Sequence, residues 1–136
     1  MTNTGTTPLI EAELTRSVIG CFFRVHRELR YGFREHIYAL ALNQELVEAG
    51  HHVQREASVV VRYRGNPLAR QKLDMVIDAK LVIEIKASER LPPNATAQLF
   101  SYLAATELEV GLLLHFAAEP NFYRVIYENR LKHRHA

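Results

Sequence analysis

This 136-residue sequence has a single cysteine, no tryptophan and no long hydrophobic run, and these shortages exclude several classes of protein. The one cysteine, Cys21, rules out an internal disulfide, and the lack of a Cys-x-x-Cys pair argues against a structural zinc site. No apolar run approaches the roughly 18 residues of a membrane span, and the polar start of the chain does not resemble a signal peptide. We therefore expect a cytoplasmic protein that does not contact membranes. It should form one domain over residues 1–136, with flexible tails at 1–7 and 131–136.

Several catalytic and binding motifs are also missing. Neither G-x-x-x-x-G-K-[ST] nor G-x-G-x-x-G occurs, so nucleotide binding through a glycine-rich loop is unsupported. The spacing shows no Ser-His-Asp arrangement. The seven histidines form no zinc motif, since His51 and His52 follow a glycine that ends a helical pattern and others lie near the C-terminus.

Basic charge is present and is carried mainly by arginine, with thirteen arginines, four lysines and a net charge of +2. Arginine favours bidentate contacts with phosphate. The basic residues cluster in three stretches: Arg24, Arg27, Arg30 and Arg34; Arg62, Arg64, Arg70 and Lys72; and Arg130, Lys132 and Arg134. Because fifteen acidic residues balance them, charge alone fits a solvated surface as well as a nucleic-acid surface.

Hydrophobic patterns predict a mixed α/β domain. Apolar residues at three- and four-residue steps predict helices over 8–29, 34–49 and 96–107. Apolar and β-branched runs predict strands over 58–63, 71–77, 81–85, 110–116 and 122–127, with the first three in a meander. This order of elements predicts a central mixed β-sheet flanked by helices.

Two acidic residues interrupt strands that are otherwise apolar. Asp74 lies in the run LDMVI, and Glu84 lies in LVIEIK, where the strand period of two places Glu84 and Lys86 on one face. Burying a carboxylate is costly unless it is paired, hydrated or bound to a cation. Only nine residues separate Asp74 from Glu84, so the two can converge on neighbouring antiparallel strands.

Two carboxylates and a lysine on adjacent strands suit metal-assisted hydrolysis of a phosphodiester. Mg²⁺ prefers a few carboxylate oxygens and fills its other positions with water and phosphate oxygens. A nearby ammonium can position the attacking water and offset phosphate charge. From these residues alone, the other interpretation is that Glu84 and Lys86 form the exposed face of an edge strand.

Three motifs in order carry a family resemblance. GFREHIY over 32–38 reads G-x-x-E-x-x-Y, Asp74 is followed by Glu84-Ile85-Lys86, and QLFSY over 98–102 reads Q-x-x-x-Y. The chain thereby resembles the GxxExxY family, which is similar to the PD-(D/E)XK nucleases. It departs from the family pattern at Arg30-Tyr31-Gly32, where Gly-Pro-Gly is usual, and at His115-Phe116-Ala117, where Asn-Phe-Gly is common.

The resemblance implies a restriction-endonuclease-like core and assigns roles to residues. It implies that the catalytic residues are Glu35, Asp74, Glu84 and Lys86. The metal ligands would be Asp74, Glu84, the Ile85 carbonyl and Glu35, with Lys86 as the base that positions water. Supporting or substrate-binding residues would be Tyr38, Gln98 and Tyr102, each of which could instead serve only packing or a helix surface.

We therefore expect a Mg²⁺-dependent nuclease, with Mn²⁺ as a substitute, that hydrolyses phosphodiester bonds of DNA in preference to RNA. The alternative is a catalytically silent nuclease-fold module that binds nucleic acid or a protein partner. A third hypothesis is an assembly role that uses an exposed sheet edge. A homodimer or a partner subunit could help a domain of this size to hold its substrate.

Overall fold

The computed structural model describes residues 10–132, which form one mixed sheet with helices on both faces. The elements in chain order are α1 (Ala12–Leu29), α2 (Glu35–Glu48), β1 (Val53–Tyr63), β2 (Asn66–Ile77), β3 (Leu81–Lys86), α3 (Ala95–Ala104), β4 (Val110–Phe116), β5 (Pro120–Ile126) and a 3₁₀ helix (Asn129–Leu131). The strand order is β1-β2-β3-β4-β5. Within residues 10–132, β3 and β4 are the only neighbouring strands that run parallel, and α3 connects them. The expected central mixed sheet and the β1–β3 meander are confirmed.

The period of two in the strands divides the core between the two faces of the sheet. On one face, residues such as Ile83 and Ile85 pack against Phe22 of α1 and Leu42 of α2. On the other face, strand residues pack against α3: Val76, Val82 and Leu113 meet Leu99 and Leu103. Both faces of β3 and β4 are buried, which explains their near-continuous apolar sequences.

The β1–β2 hairpin is longer than the sequence predicts. β1 begins at Val53 instead of 58, and β2 begins at Asn66 instead of 71. The connection is a two-residue turn at Arg64 and Gly65, which have φ angles of 50° and 80°. Most of the added residues are exposed, so they lack the alternation of buried apolar residues that reveals a strand.

The structure describes only part of the two expected flexible tails. The expected tail at 1–7 and the residues 133–136 lie outside the described part. Leu131 closes the 3₁₀ helix, and the Lys132 ammonium donates to the carbonyls of Thr106 and Leu108 at 3.0 and 2.7 Å, so these two residues are fixed to the domain. Within residues 10–132, no helix is both long and apolar enough to cross a membrane.

Gly111 on β4 sets how closely α3 approaches the sheet. A Cβ atom at Gly111 would lie 2.8 Å from Cδ1 and 3.0 Å from Cγ of Leu99, a fully buried residue of α3. Such distances are shorter than carbon–carbon van der Waals contact, so a side chain here would displace the helix.

We expect Gly111→Ala to lower the free energy of unfolding by about 1–3 kcal/mol, because Leu99 and α3 must move. Urea unfolding followed by circular dichroism measures this. Gly20→Ala in α1 is the matched control, since its new Cβ would lie 3.7 Å from the Arg24 guanidinium. It should raise stability by about 0.5–1 kcal/mol through helix propensity. Wild-type stability for Gly111→Ala would contradict this account of α3.

Candidate active site

The candidate active site lies where the backbone pairing between β2 and β3 ends. Their antiparallel register runs from Ile77 with Leu81 to Met75 with Ile83. One step further, Asp74 and Glu84 lie opposite each other, and side chains take over the hydrogen bonds between strands. The Asp74 N–H donates to Glu84 Oε1 at 3.3 Å, and the Ile85 N–H donates to Asp74 Oδ2 at 2.7 Å. Each carboxylate therefore binds the backbone of the opposite strand, and we call these two residues the acid pair.

Burial perturbs both carboxyl groups, and the negative charge of Asp74 adds to the effect on Glu84. Glu84 is only 6% exposed. Burial, then the charges of Asp74 and Glu35, raise the pKa of Glu84 to about 7, against the lowering effects of the Asp74 N–H and Lys86. Burial also raises the pKa of Asp74, opposed by the Ile85 N–H and by Lys86 and Arg55. A cation placed at the acid pair would relieve this repulsion.

Lys86 is two residues beyond Glu84 on β3, where the strand pairs with β4. Its side chain is half-buried, and its positive charge lowers the pKa of both members of the acid pair. The structure therefore brings together the acid pair and the lysine that the sequence indicated. Glu84 is buried, so this stretch is not the exposed face of an edge strand.

The GxxExxY stretch forms the turn that leads into α2. Gly32 has a φ of 119°, which favours glycine, and Glu35 is the first residue of α2. The Tyr38 hydroxyl donates to the Arg30 carbonyl and accepts from the Phe33 N–H at 3.3 Å. Its fully buried ring stacks on the ring of Phe116 at 4.2 Å between centroids. Tyr38 thus fixes the loop that precedes Glu35.

Helix α3 places Tyr102 near the acid pair from the other side. Tyr102 is 6% exposed, and burial, followed by the negative charges of Glu84 and Asp74, raises the pKa of its phenol. Gln98 is exposed and lies one helical turn earlier on α3, where i and i+4 residues share a face.

An open cleft of about 270 Å³ lies between the start of α2 and the strands. Its lining residues are Glu35, His36, Ala39, Arg55, Glu56, Asp74 and Ile85. Sequence reasoning missed Arg55 and Glu56 of β1. The register that pairs Arg55 with Met75, beside Asp74, places them here, and the sequence alone does not reveal that register.

The hairpin twists sharply at this cleft. Leu73 packs with the α3 core and Met75 packs with the α1–α2 core, although residues two apart on a regular strand share a face. Glu56, opposite Asp74 on β1, has a φ of 50°, a left-handed backbone conformation within the strand. Asp74 lies between Leu73 and Met75, at this change of face.

The side chains at the candidate site do not by themselves provide a complete set of ligands for a hard divalent cation. Across residues 10–132, no group of three or more His, Cys, Asp and Glu side chains is arranged to hold a metal ion. The acid pair supplies two carboxylates, which suits Mg²⁺, a cation that commonly keeps several waters and substrate oxygens. Glu35 and Ile85, the other two residues expected to bind the metal, line the same cleft as Asp74.

The fold brings together one hydrogen-bonded Ser-His-Asp arrangement, which the spacing in the sequence does not show. Ser17 Oγ lies 2.7 Å from His51 Nε2, and His51 Nδ1 lies 2.8 Å from Asp78 Oδ2. Partial burial opposes ionisation of Asp78, but hydrogen bonds from the His52 N–H and from His51 lower its pKa overall. The arrangement joins α1, the loop after α2 and the β2–β3 turn. Sequence spacing could not reveal it because its members are 34 and 27 residues apart.

We expect Glu84→Gln to stabilise the protein at pH 8 by about 1–3 kcal/mol, because it removes a buried charge from the acid pair. The raised pKa means that the folded state binds more protons than the unfolded state between pH 4.5 and about 7. Wild-type stability should therefore fall as pH rises through that range, while the variant escapes this fall.

Urea unfolding at pH 4 and pH 8 tests this expectation. The advantage of Glu84→Gln should be present at pH 8 and vanish at pH 4, where Glu84 is protonated in both states. Exposed Glu48→Gln serves as control and should change stability by less than about 0.5 kcal/mol at either pH. Equal stability of Glu84→Gln and wild type at pH 8 would refute the free-energy cost that we assign to the buried charge of Glu84.

Comparison with known proteins identifies the family of this chain. The chain matches the family model of the PD-(D/E)XK nuclease superfamily over residues 12–125. A search of curated proteins found no match. The fold is similar to the crystal structure of SSO0001, with a TM-score of 0.57, 21% identity and coverage of 87% of this chain. The chain spans 59% of the length of SSO0001. With five strands in the expected order and a match over most of its length, the chain belongs to the PD-(D/E)XK nuclease superfamily.

Proposed function

We propose that this protein is a metal-dependent nuclease that hydrolyses phosphodiester bonds of DNA in preference to RNA, with Mg²⁺ as its metal and Mn²⁺ as a substitute. The observation that carries the proposal is the acid pair at the separating ends of β2 and β3, with the charge of Lys86 acting on both of its members and with Asp74 lining an open cleft. Nucleases of the superfamily generally use divalent metals.

Four groups are assigned to the metal in this proposal. Asp74 and Glu84 are its principal ligands, the Ile85 carbonyl is a further ligand, and Glu35 is a third carboxylate at the rim of the cleft. A bound divalent cation would polarise the phosphoryl oxygen and lower the pKa of a bound water. The acid pair must then exchange its backbone hydrogen bonds, at least in part, for the metal.

The remaining groups act on water and substrate. Lys86 positions the attacking water, and its charge offsets the charge that develops on the phosphate. Arg55 lines the cleft and can contact a phosphate oxygen there. Tyr102 excludes water from the side of α3, and Gln98 contacts the substrate backbone from the exposed surface of that helix. Tyr38 is a supporting residue, since it holds the loop before Glu35.

A second candidate is a nuclease-fold module that binds nucleic acid or a protein without cleavage. Two observations favour it. The described residues contain no ready-made group of three metal-binding side chains, and both members of the acid pair are engaged by backbone N–H groups. A second copy or a partner subunit would extend the substrate surface of either candidate.

Metal binding separates the two candidates. Titration calorimetry with Mg²⁺ and with Mn²⁺ should show saturable binding to the wild type that is lost in Asp74→Ala/Glu84→Ala, because the variant lacks both principal ligands. The control Glu13→Ala/Glu48→Ala removes two exposed acids far from the cleft and should bind like the wild type. No wild-type binding, even with a DNA duplex present, would favour the silent module.

Cleavage tests the chemistry directly. Lys86→Ala should reduce the rate of DNA cleavage in Mg²⁺ by at least about 100-fold, because the attacking water loses its positioning group. Lys80→Ala, at the exposed β2–β3 turn, is the matched lysine control and should keep the wild-type rate. Wild-type activity in Lys86→Ala, with the fold intact by circular dichroism, would refute the assigned role.

A further inference from the structure

The outer part of the β1–β2 hairpin projects beyond the sheet. Among the described residues, β3 pairs with β2 only from Met75 to Ile77. From residue 74 outward to the turn at Arg64 and Gly65, the hairpin is therefore a two-stranded ribbon. Nine residues at about 3.3 Å each give this ribbon a length of roughly 30 Å. We call residues 57–73 the arm.

The arm is strongly and uniformly basic. It contains no aspartate or glutamate, in a chain whose net charge is only +2. Its four cations are all exposed: Arg62, Arg64, Arg70 and Lys72. The excess positive charge of the whole protein is thus concentrated on one projecting element.

Neutral groups hold three of the four cations, so their charge stays available for a ligand. The Arg62 guanidinium donates to the Gly65 carbonyl at 3.3 Å, and the Arg70 guanidinium donates to the Ser58 hydroxyl at 3.4 Å. The Arg64 guanidinium lies over the Tyr63 ring, 5.2 Å from its centroid. A guanidinium held in these ways keeps donors free for phosphate oxygens.

The exposed side of the arm leads directly to the cleft. Residues such as Leu73 bury one side of the arm against the α3 core, and Arg70 and Lys72 alternate with them on the exposed side. Lys72 lies 3.8 Å from Glu56, which lines the cleft together with Asp74. Along β2, Lys72 and Arg70 stand about 7 and 13 Å from Asp74, so positive charge extends outward from the acid pair.

We propose that the arm binds duplex DNA by contacting its phosphate backbone and so holds the duplex across the cleft, an inference that rests on the proposed function. The major groove of B-form DNA, about 12 Å wide, admits a two-stranded ribbon. The deep, narrow major groove of A-form RNA does not. The two-stranded shape of the arm therefore favours duplex DNA over duplex RNA, and its exposed arginines supply contacts to the phosphates that border the groove.

Binding without cleavage tests the arm independently of catalysis. Fluorescence anisotropy in EDTA would compare a 20-base-pair DNA duplex, the duplex RNA of the same sequence and the single DNA strand across a salt series. The test variant is Arg62→Gln/Arg64→Gln/Arg70→Gln, which spares Lys72 because it contacts the cleft. The control Arg16→Gln/Lys80→Gln/Arg130→Gln removes the same charge from exposed positions outside the arm.

We expect the arm variant to bind duplex DNA at least about 10-fold more weakly than the control at 100 mM salt. Its plot of log affinity against log salt should be shallower by about 2–3, or roughly 0.9 for each lost phosphate contact. Duplex RNA and single-stranded DNA should bind more weakly than duplex DNA and respond less to the arm variant.

The possible outcomes distinguish an error in the proposal that the arm binds DNA from an error in the proposed nuclease activity. If the arm variant and the control bind duplex DNA with equal affinity and equal salt dependence, the proposal that the arm binds DNA is wrong. An equal effect of the arm variant on duplex RNA or on single-stranded DNA would overturn the choice of duplex DNA. Arm-dependent binding of duplex DNA by a protein that cleaves nothing in Mg²⁺ would support the arm and refute only the catalytic proposal.

Discussion

The fold holds two acidic side chains, buried Glu84 and half-buried Asp74, next to each other. Such a pair is unfavourable in isolation: burial first, and then the charge of Asp74, raise the pKa of Glu84 to about 7. The backbone makes it tolerable, since each carboxylate accepts a main-chain N–H of the opposite strand at the point where β2 and β3 separate. Helix α3 and the loop before α2 surround this point of the sheet.

Packing at a distance fixes the surroundings of the acid pair. The close approach of α3 to Gly111 seats the helix that carries Tyr102. On the opposite face, the stacked rings of Tyr38 and Phe116 anchor the loop before Glu35. Glu56 has a left-handed backbone conformation where the hairpin changes face, and the basic side of the arm beyond it is exposed. Stability and site geometry therefore depend on the same few contacts.

Much of the fold was predictable because its core strands follow simple periods. The apolar runs of β3 and β4 predicted buried strands, and Asp74 in β2 and Glu84 in β3 indicated the candidate site, since a carboxylate in such a strand needs a special explanation. The outer hairpin was underestimated because its exposed strand residues carry no apolar alternation.

Other features could not be predicted because they depend on register or on distant contacts. Arg55 enters the cleft through its strand pairing with Met75, and Ser17 meets His51 only after α1 and α2 pack. The assignment of ligands beyond the acid pair, Glu35 above all, stays a prediction. Its exposed position at the start of α2 is compatible with movement toward a bound metal.

The most direct test of the central claim is anomalous X-ray scattering from crystals of the protein grown with Mn²⁺ and a DNA duplex. We predict one strong manganese peak within about 2.3 Å of carboxylate oxygens of both Asp74 and Glu84, with the hydrogen bond from the Ile85 N–H to Asp74 lengthened or lost. A duplex bound in the crystal with no manganese at the acid pair, and with both backbone hydrogen bonds intact, would contradict the account.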